Sequence, residues 1–433
     1  MAISFQLVIV LLVLFIVNMY LISKKKYDAL FSFAFVLLLS IPSDAVGIIT
    51  GYPYSSGGKI NLSIIGYEIL LIIVCLFLNG KSKIKNMSRV SFGMLAGTPI
   101  FLFIFRLLMD GTETLSNKML DNYLFPAMFA ILIVSFLPQN DFPKIMRTFY
   151  FCILVNAVIA ITEVIYGKSV FFHDYYMNSN AWYQGLYNST MWNVRMRGTA
   201  LLGHPLINGM YCVLGIVYLY NRERKRKKCT WMVEFIILVG GVLASNSRGA
   251  LLIFAGYTAY FILKKKEYGK ASVIVLIIMI AVSLMDFDSI YQGMFSRDAT
   301  GSSIMHRFVS LAKFWELPFE VIIKGVGYNN TASILRSIGV MGNLEISYLI
   351  VLLENGVIGF SMWLLSLLCL YKKKMLHKCG DLNSRSLING LILCMMGLSV
   401  SGNYFGDPGT LNYTLWAIFA FSYQQNYSQR RLI

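Results

Sequence analysis

Charge is scarce in this sequence. Only 14% of its 433 residues are Asp, Glu, Lys or Arg, against roughly 25% in a soluble domain. A soluble fold with so few charges could not cover its apolar surface, so a water-soluble globule is excluded. Acid is the scarcer sign: 21 Asp and Glu stand against 38 Lys and Arg, a formal net charge of +17. Signature motifs are lacking as well. There is no Walker loop, no nucleotide-binding glycine motif and no zinc motif, so no cofactor and no metal is expected. The seven cysteines are not grouped as metal ligands. They also avoid the two long hydrophilic segments described below, so no structural disulfide is expected there. Internal repeats are missing too, whereas transporters built from inverted repeats often show one.

What the chain has instead is apolar residues, 57% of it, with a mean hydropathy of +0.63. They come in blocks of about 15 to 22 residues, the length that crosses a bilayer core as a helix. Lipid offers no hydrogen bonds to the backbone, so the spans must be helical. The first block, 3–22, lacks a basic leading region and a small-residue cleavage site and is expected to be a retained span. Most Lys and Arg sit in short clusters between blocks, at 24–26, 81–89, 144–147, 222–228, 264–270, 372–385 and 430–431. The positive-inside rule places these clusters in the cytoplasm, so the net charge reads as topology and no nucleic-acid partner is expected.

Pinning the clusters on one side forces an even number of crossings between neighbours. The spans then fall at 3–22, 30–49, 61–78, 90–109, 120–138, 146–166, 198–220, 231–246, 248–263, 271–285, 347–371, 385–402 and 409–424. The expected fold is all-α, a polytopic transmembrane helix bundle with 12–14 spans, 13 preferred, forming a single integral membrane domain over 1–433. The N-terminus would lie outside and the C-terminus inside. Two long outer loops, 168–197 and 286–346, would contain short helices. The stretch between Lys228 and Lys264 is basic at both ends and would measure about 52 Å as one helix, too long for one crossing. It therefore reads as two short spans joined by an outer hairpin at Ser245, Asn246, Ser247, Arg248 and Gly249.

Basic residues outside the clusters, among them Arg106, Arg195, Arg197, Arg248, Arg307 and Lys324, map almost entirely to the outer face. Positive charge there runs against the orientation bias. It answers either to an anionic ligand or to local acids such as Asp286, Asp298, Glu316 and Glu320. Arg248 opens a helix entering the membrane, so a guanidinium, unpaired backbone N–H groups and the positive helix end coincide. That combination suits a phosphate; the alternative is an Arg reaching lipid headgroups. Arg195 and Arg197 precede the span 198–220, on which His204 follows Arg197 by two turns and shares its face. Pro205 is expected to kink that helix. His204 reads as a packing residue, a ligand contact or a catalyst. At the third outer helix start, Glu345 lies at the surface and Glu354 roughly 13 Å along the helix. Either could serve as a general base, and Glu354 could equally pair with an intramembrane Arg.

In this order, these elements resemble the O-antigen polymerase and ligase superfamily (Wzy-like and WaaL-like). The matching stretches are Arg197-Gly198-Thr199 with Gly203-His204-Pro205; Ser245 to Gly249; Arg307 with Gly325-Val326-Gly327; and Asn343 to Tyr348 followed by Leu353-Glu354-Asn355-Gly356. They cover about 195–360. The resemblance implies a metal-independent, inverting glycosyl transfer at the outer face of a bacterial cytoplasmic membrane. The donor would be a glycan on undecaprenyl pyrophosphate and the acceptor a sugar hydroxyl. Arg248, with Arg195, Arg197 or Arg307, would hold the pyrophosphate. His204, Tyr328 and Asn343 would contact the glycan. Glu345 is the first choice of base, with Glu354 second. Membrane lipid and a chain-length regulator protein are the other candidate partners.

Ligases of this superfamily carry a His just before the helix that here starts at Ser347. This chain has Gly342, Asn343 and Glu345 there. That departure favours a polymerase of lipid-linked repeat units, as for O-antigen, capsule or exopolysaccharide. An O-antigen ligase or protein O-glycosyltransferase is the alternative within the same chemistry. A polysaccharide transporter or flippase is the alternative outside it, and the long outer loops argue against it.

Overall fold

The computed structural model describes residues 5–42, 46–47, 62–80, 97–110, 120–138, 141–171, 173–174, 197–222, 228–265, 311–327, 330–339, 346–372, 384–398 and 410–429. Helices account for nearly all of them. In chain order they are α1 (Phe5–Ser23), α2 (Tyr27–Ser40), α3 (Ile64–Leu78), α4 (Thr98–Asp110), α5 (Phe125–Phe136), α6 (Phe142–Tyr166) and α7 (Pro205–Asn221). There follow α8 (Lys228–Ala244), α9 (Arg248–Lys265), the short α10 (Phe319–Lys324) and α11 (Thr331–Ser337), then α12 (Ser347–Lys372), α13 (Ser384–Leu398) and α14 (Thr410–Gln429). A π-turn at Leu120–Leu124 leads into α5, and a 3₁₀ turn at Ala200–Leu202 precedes α7. Every expected span coincides with one of these helices except 271–285, which lies outside the described residues.

Among the described residues, three helices, Phe5–Ser23, Phe142–Tyr166 and Ser347–Leu368, are long and apolar enough to cross a membrane, and eight shorter apolar helices accompany them. The outward surface is as apolar as the interior. On α1, Phe5, Val8, Ile9, Leu12, Val13, Ile16 and Tyr20 are exposed, while Leu7, Leu14, Asn18 and Ile22 turn inward. Water would not tolerate such a surface on a monomer, whereas lipid does. The chain is a helical membrane protein. Among lipid tails the hydrophobic effect gives no advantage to helix–helix contact, so dispersion and interhelical hydrogen bonds hold the bundle. At its centre, Phe35 packs edge-on to Phe129 and Phe149, each with centroids 5.6 Å apart. Phe129 meets Tyr413 at 6.3 Å, and Phe149 meets Tyr211 at 6.0 Å, drawing α2, α5, α6, α7 and α14 together.

One end of the bundle carries the described basic residues Lys144 and Arg222. Lys144, at the start of α6, lies 3.0 Å from Asp28 and 2.7 Å from Asp141. Arg222, at the end of α7, lies 3.6 Å from Glu234, which also accepts from the Tyr150 hydroxyl at 3.0 Å. Clusters 24–26, 144–147 and 222–228 thus share one end, as pinning them to a single membrane face requires. The opposite end of α6, α7, α8 and α9 holds the elements singled out in the sequence.

A buried polar network ties the bundle together in the half away from the clusters. Asp121, in the π-turn, accepts from the Ser63 hydroxyl and the Tyr413 hydroxyl, both at 2.7 Å. Ser63 also caps α3 by accepting from the Gly66 N–H at 3.1 Å. The Tyr211 and Thr414 hydroxyls meet at 2.8 Å. Nothing in the sequence pattern flagged Asp121 as an organising residue.

Candidate functional site

The hairpin between α8 and α9 is built by satisfying every carbonyl at the end of α8. The last carbonyls of a helix have no partner within it, and apolar surroundings provide none. Here Gly241 O accepts from Ser245 N at 3.0 Å and Leu243 O from Asn246 N at 2.9 Å. Val242 O accepts from the Ser245 hydroxyl at 2.7 Å. Ala244 O accepts from Gly198 N at 2.9 Å, a contact across 46 residues of sequence. Asn246 then takes a left-handed backbone with φ 46°, a conformation Asn tolerates better than most residues. The two carbonyls that remain, Ser245 O and Asn246 O, accept from Arg197 Nε at 3.0 Å and Arg197 Nη2 at 3.1 Å. A cation at a helix C-terminus also complements the macrodipole, worth about 0.3–1 kcal/mol.

From there the chain turns straight into α9. Ser247 is its cap, with its hydroxyl accepting from Ala250 N at 3.3 Å and its carbonyl from Leu251 N at 3.0 Å. Arg248 is the first helical residue, as expected from the sequence; its side chain lies outside the described residues. Gly249 and Ala250 follow, and Ala250 is fully buried against the Gly209 turn of α7. The Arg248 and Gly249 N–H groups occupy the positive end of the helix, where no carbonyl precedes them within it. The arrangement suits a bound anion.

The turn at 197–204 lies against this hairpin. Residues 198–204 are not α-helical: a 3₁₀ turn at Ala200–Leu202 and a left-handed Gly203 precede α7. Pro205 is therefore the first residue of α7 rather than a kink within it, the position where a missing N–H costs nothing. Two expectations are corrected together. Pro205 frees no mid-helix carbonyl, and Arg197 and His204 are not two turns apart on one helical face. His204 is instead the N-cap of α7, its Nδ1 accepting from Leu206 N at 3.2 Å. A neutral imidazole accepting at Nδ1 carries its proton on Nε2. The Nδ1 of His204 is thus engaged by the start of α7. One turn on, Asn208 is fully buried, and neither end of its amide finds a hydrogen-bond partner among the described residues. A side chain on Gly209 would run into Ser245, so this turn of α7 packs directly on the hairpin.

The third element is a broken helix. The sequence reads as one continuous span from 347 to 371, but α12 is interrupted at Gly356, where φ is 68° and ψ is 177°, a region open essentially to glycine alone. The break exposes carbonyls that an unbroken helix would use itself. The Gly-rich turn takes them: Val326 N donates to Leu353 O at 2.8 Å and Gly327 N to Glu354 O at 3.1 Å. Backbone approaches backbone so closely that a Cβ at Gly356 would strike Ile323 O, and one at Gly325 would strike Gly356 N and the Arg106 guanidinium. Arg106, only 1% exposed, completes the joint by donating from Nη2 to Lys324 O at 2.5 Å. Glu354 is 4% exposed, and its neighbour Asn355 donates to the Tyr123 hydroxyl at 3.1 Å. Arg106 and the Glu354 backbone carbonyl thus both belong to this joint.

The start of α12 reaches the hairpin through α13, which no motif singled out. Tyr348 donates to Met396 O at 2.8 Å, and the adjacent Gly397 packs on Ile253 in the second turn of α9. Of the residues expected at the site, Arg197, His204, the backbone of Arg248 and the start of α12 are placed at this end of the bundle. Arg195, Arg307, Tyr328, Asn343 and Glu345 lie outside the described residues. Glu163 belongs to none of the motifs read from the sequence. It is fully buried, and its carboxylate receives N–H groups from both Val170 and Ala200.

No curated protein matches the chain. Residues 233–364 match the family model described as O-antigen ligase, Wzy_C. The matched stretch runs through the hairpin, α9 and the broken α12; Arg197 and His204 precede it. The match supports placing this chain with the O-antigen polymerase and ligase superfamily, a glycosyltransferase-like group of membrane proteins, without separating polymerase from ligase.

Proposed function

We propose that this protein transfers a glycan from undecaprenyl pyrophosphate to a sugar hydroxyl at the outer face of a bacterial cytoplasmic membrane. The observation that carries the reading is the hairpin. A helix start with an arginine at its first position and small residues after it sits at the end of the bundle opposite the basic clusters. Pyrophosphate leaves only if its developing charge is stabilised, and fixed donors placed in advance do this best. In this reading Arg248 and the first N–H groups of α9 hold the diphosphate, with Arg195 and Arg307 beside them. Arg197 keeps the hairpin in shape. His204 donates to the glycan alongside Tyr328 and Asn343. Glu345 takes the proton from the acceptor hydroxyl. Glu354, built into the joint with the 325–327 turn, is the weaker candidate for that task.

The acceptor separates two readings. Asn343 and Glu345, standing where ligases of the superfamily carry a histidine, favour a polymerase joining lipid-linked repeat units. The description attached to the matching family favours a ligase. A deletion strain decides: lipid-linked single repeats accumulate if the protein is a polymerase, and lipid-linked long chains if it is a ligase. The chemistry itself is tested by Arg248→Ala, which should abolish the transferred or long-chain product while membrane levels stay unchanged. Normal product in that variant would remove Arg248 from the mechanism.

A further inference from the structure

Glu163 sits in the last turn of α6, fully buried, three residues before its last residue Tyr166. A carboxylate so placed needs several donors to offset its lost hydration. Its donors come from two distant parts of the chain. On one side Val170 N donates to Oε1 at 3.2 Å, with the Ser169 hydroxyl 2.9 Å from the same oxygen. On the other, Thr199 N donates to Oε2 at 2.7 Å, Ala200 N at 2.8 Å and the Thr199 hydroxyl at 3.3 Å. Ala200 has φ 51°, a left-handed backbone that is unfavourable for a non-glycine residue, and its N–H is one of those held. Two turns earlier on α6, Asn156 extends the grip by accepting from Leu201 N at 3.0 Å.

The grip continues to the hairpin. Thr199 and Ala200 are two and three residues past Arg197, and Gly198 between them donates to Ala244 O at 2.9 Å. Arg197 in turn holds Ser245 O and Asn246 O. A single carboxylate therefore fixes the short backbone segment from which Arg197 reaches the turn that starts α9.

We infer that Glu163 is a positioning residue of the glycan-transfer site: by clamping Thr199 and Ala200 it holds Arg197 against the α8–α9 hairpin and so sets the place of Arg248. The inference rests on the function proposed above. Glutamine at 163 keeps the shape but turns an NH₂ toward backbone N–H groups on one side or the other, so one half of the clamp opens. Aspartate keeps both acceptor oxygens on a shorter arm.

The test uses the full-length protein in detergent or nanodiscs, with amide hydrogen exchange and glycan transfer measured together. In Glu163→Gln, exchange should rise at 197–201 and also at 244–250, while α1 and α2 stay as in wild type. Transfer should fall about tenfold, the loss expected for one buried donor left unmet. Adding Arg197→Ala should cost little more, because the two residues act through one contact chain, and Glu163→Asp should recover part of the activity. If Glu163→Gln fails to accumulate, Glu163→Asp carries the same readouts at smaller amplitude. Raised exchange confined to 169–171 and 199–201, with the hairpin and transfer unchanged, would overturn the inference. So would a full additive loss with Arg197→Ala. Coupled exchange in a wild-type protein that transfers no glycan would sustain the clamp and remove the transferase reading instead.

Discussion

Asn208 shows how a stability cost can mark a site. Its amide is buried without a partner on either end among the described residues, which costs about 1–3 kcal/mol per unmet group. It lies one turn from His204, on the helix end that packs against the hairpin. An isosteric apolar side chain removes the unmet groups without opening a cavity. Asn208→Leu should therefore hold or raise the melting temperature of the purified protein while lowering glycan transfer. A clear fall in melting temperature would show that the amide is satisfied in the membrane and serves the fold. Charged residues at this scale were only half legible. Arg248 was readable because its motif and helix start are local. Glu163, Asp121 and Arg106 were not, because each acts on groups brought close only by the fold: Thr199, Tyr413 and Lys324 are far from them in sequence.

Among the elements, long apolar runs announced the helices, and the basic ends of 228–264 announced the hairpin. Proline and glycine were misread because each has two uses. Pro205 can kink a helix or open one, and here it opens α7 after a turn held from α6. Gly356 sits in an apolar run that reads as continuous helix, and only the docking of 325–327 shows why it must be glycine. Gly356→Ala forces a Cβ into Ile323 O and into a backbone region closed to other residues. It should lower stability by about 1–3 kcal/mol and raise amide exchange at 326–327, where the donated N–H groups lose their carbonyls. Unchanged exchange there would mean that the helix break does not depend on this residue. The change should also impair transfer, since α12 carries Tyr348 to α13 and hence to α9.

For the whole molecule, Lys144 and Arg222 lie at the end opposite the hairpin, so the protein's orientation decides whether the site can meet a lipid-linked glycan. The proposed function, with the positive-inside rule, requires the hairpin to face outward. Cys229 offers a native probe, being an exposed thiol beside the 222–228 cluster. It should react with a membrane-impermeant thiol reagent only after cells are permeabilised, whereas Asn246→Cys should react in intact cells. The reverse pattern would turn the site toward the cytosol and remove access to an exported donor.

The diphosphate grip at the start of α9 is tested most directly by carrier binding. Undecaprenyl pyrophosphate, without its glycan, should be retained by the purified wild-type protein in native mass spectrometry. Binding should weaken at least about tenfold in Arg248→Ala, in line with the loss of one charge-assisted contact. Equal retention by the two proteins would contradict the account, because the carrier's diphosphate would then be held elsewhere.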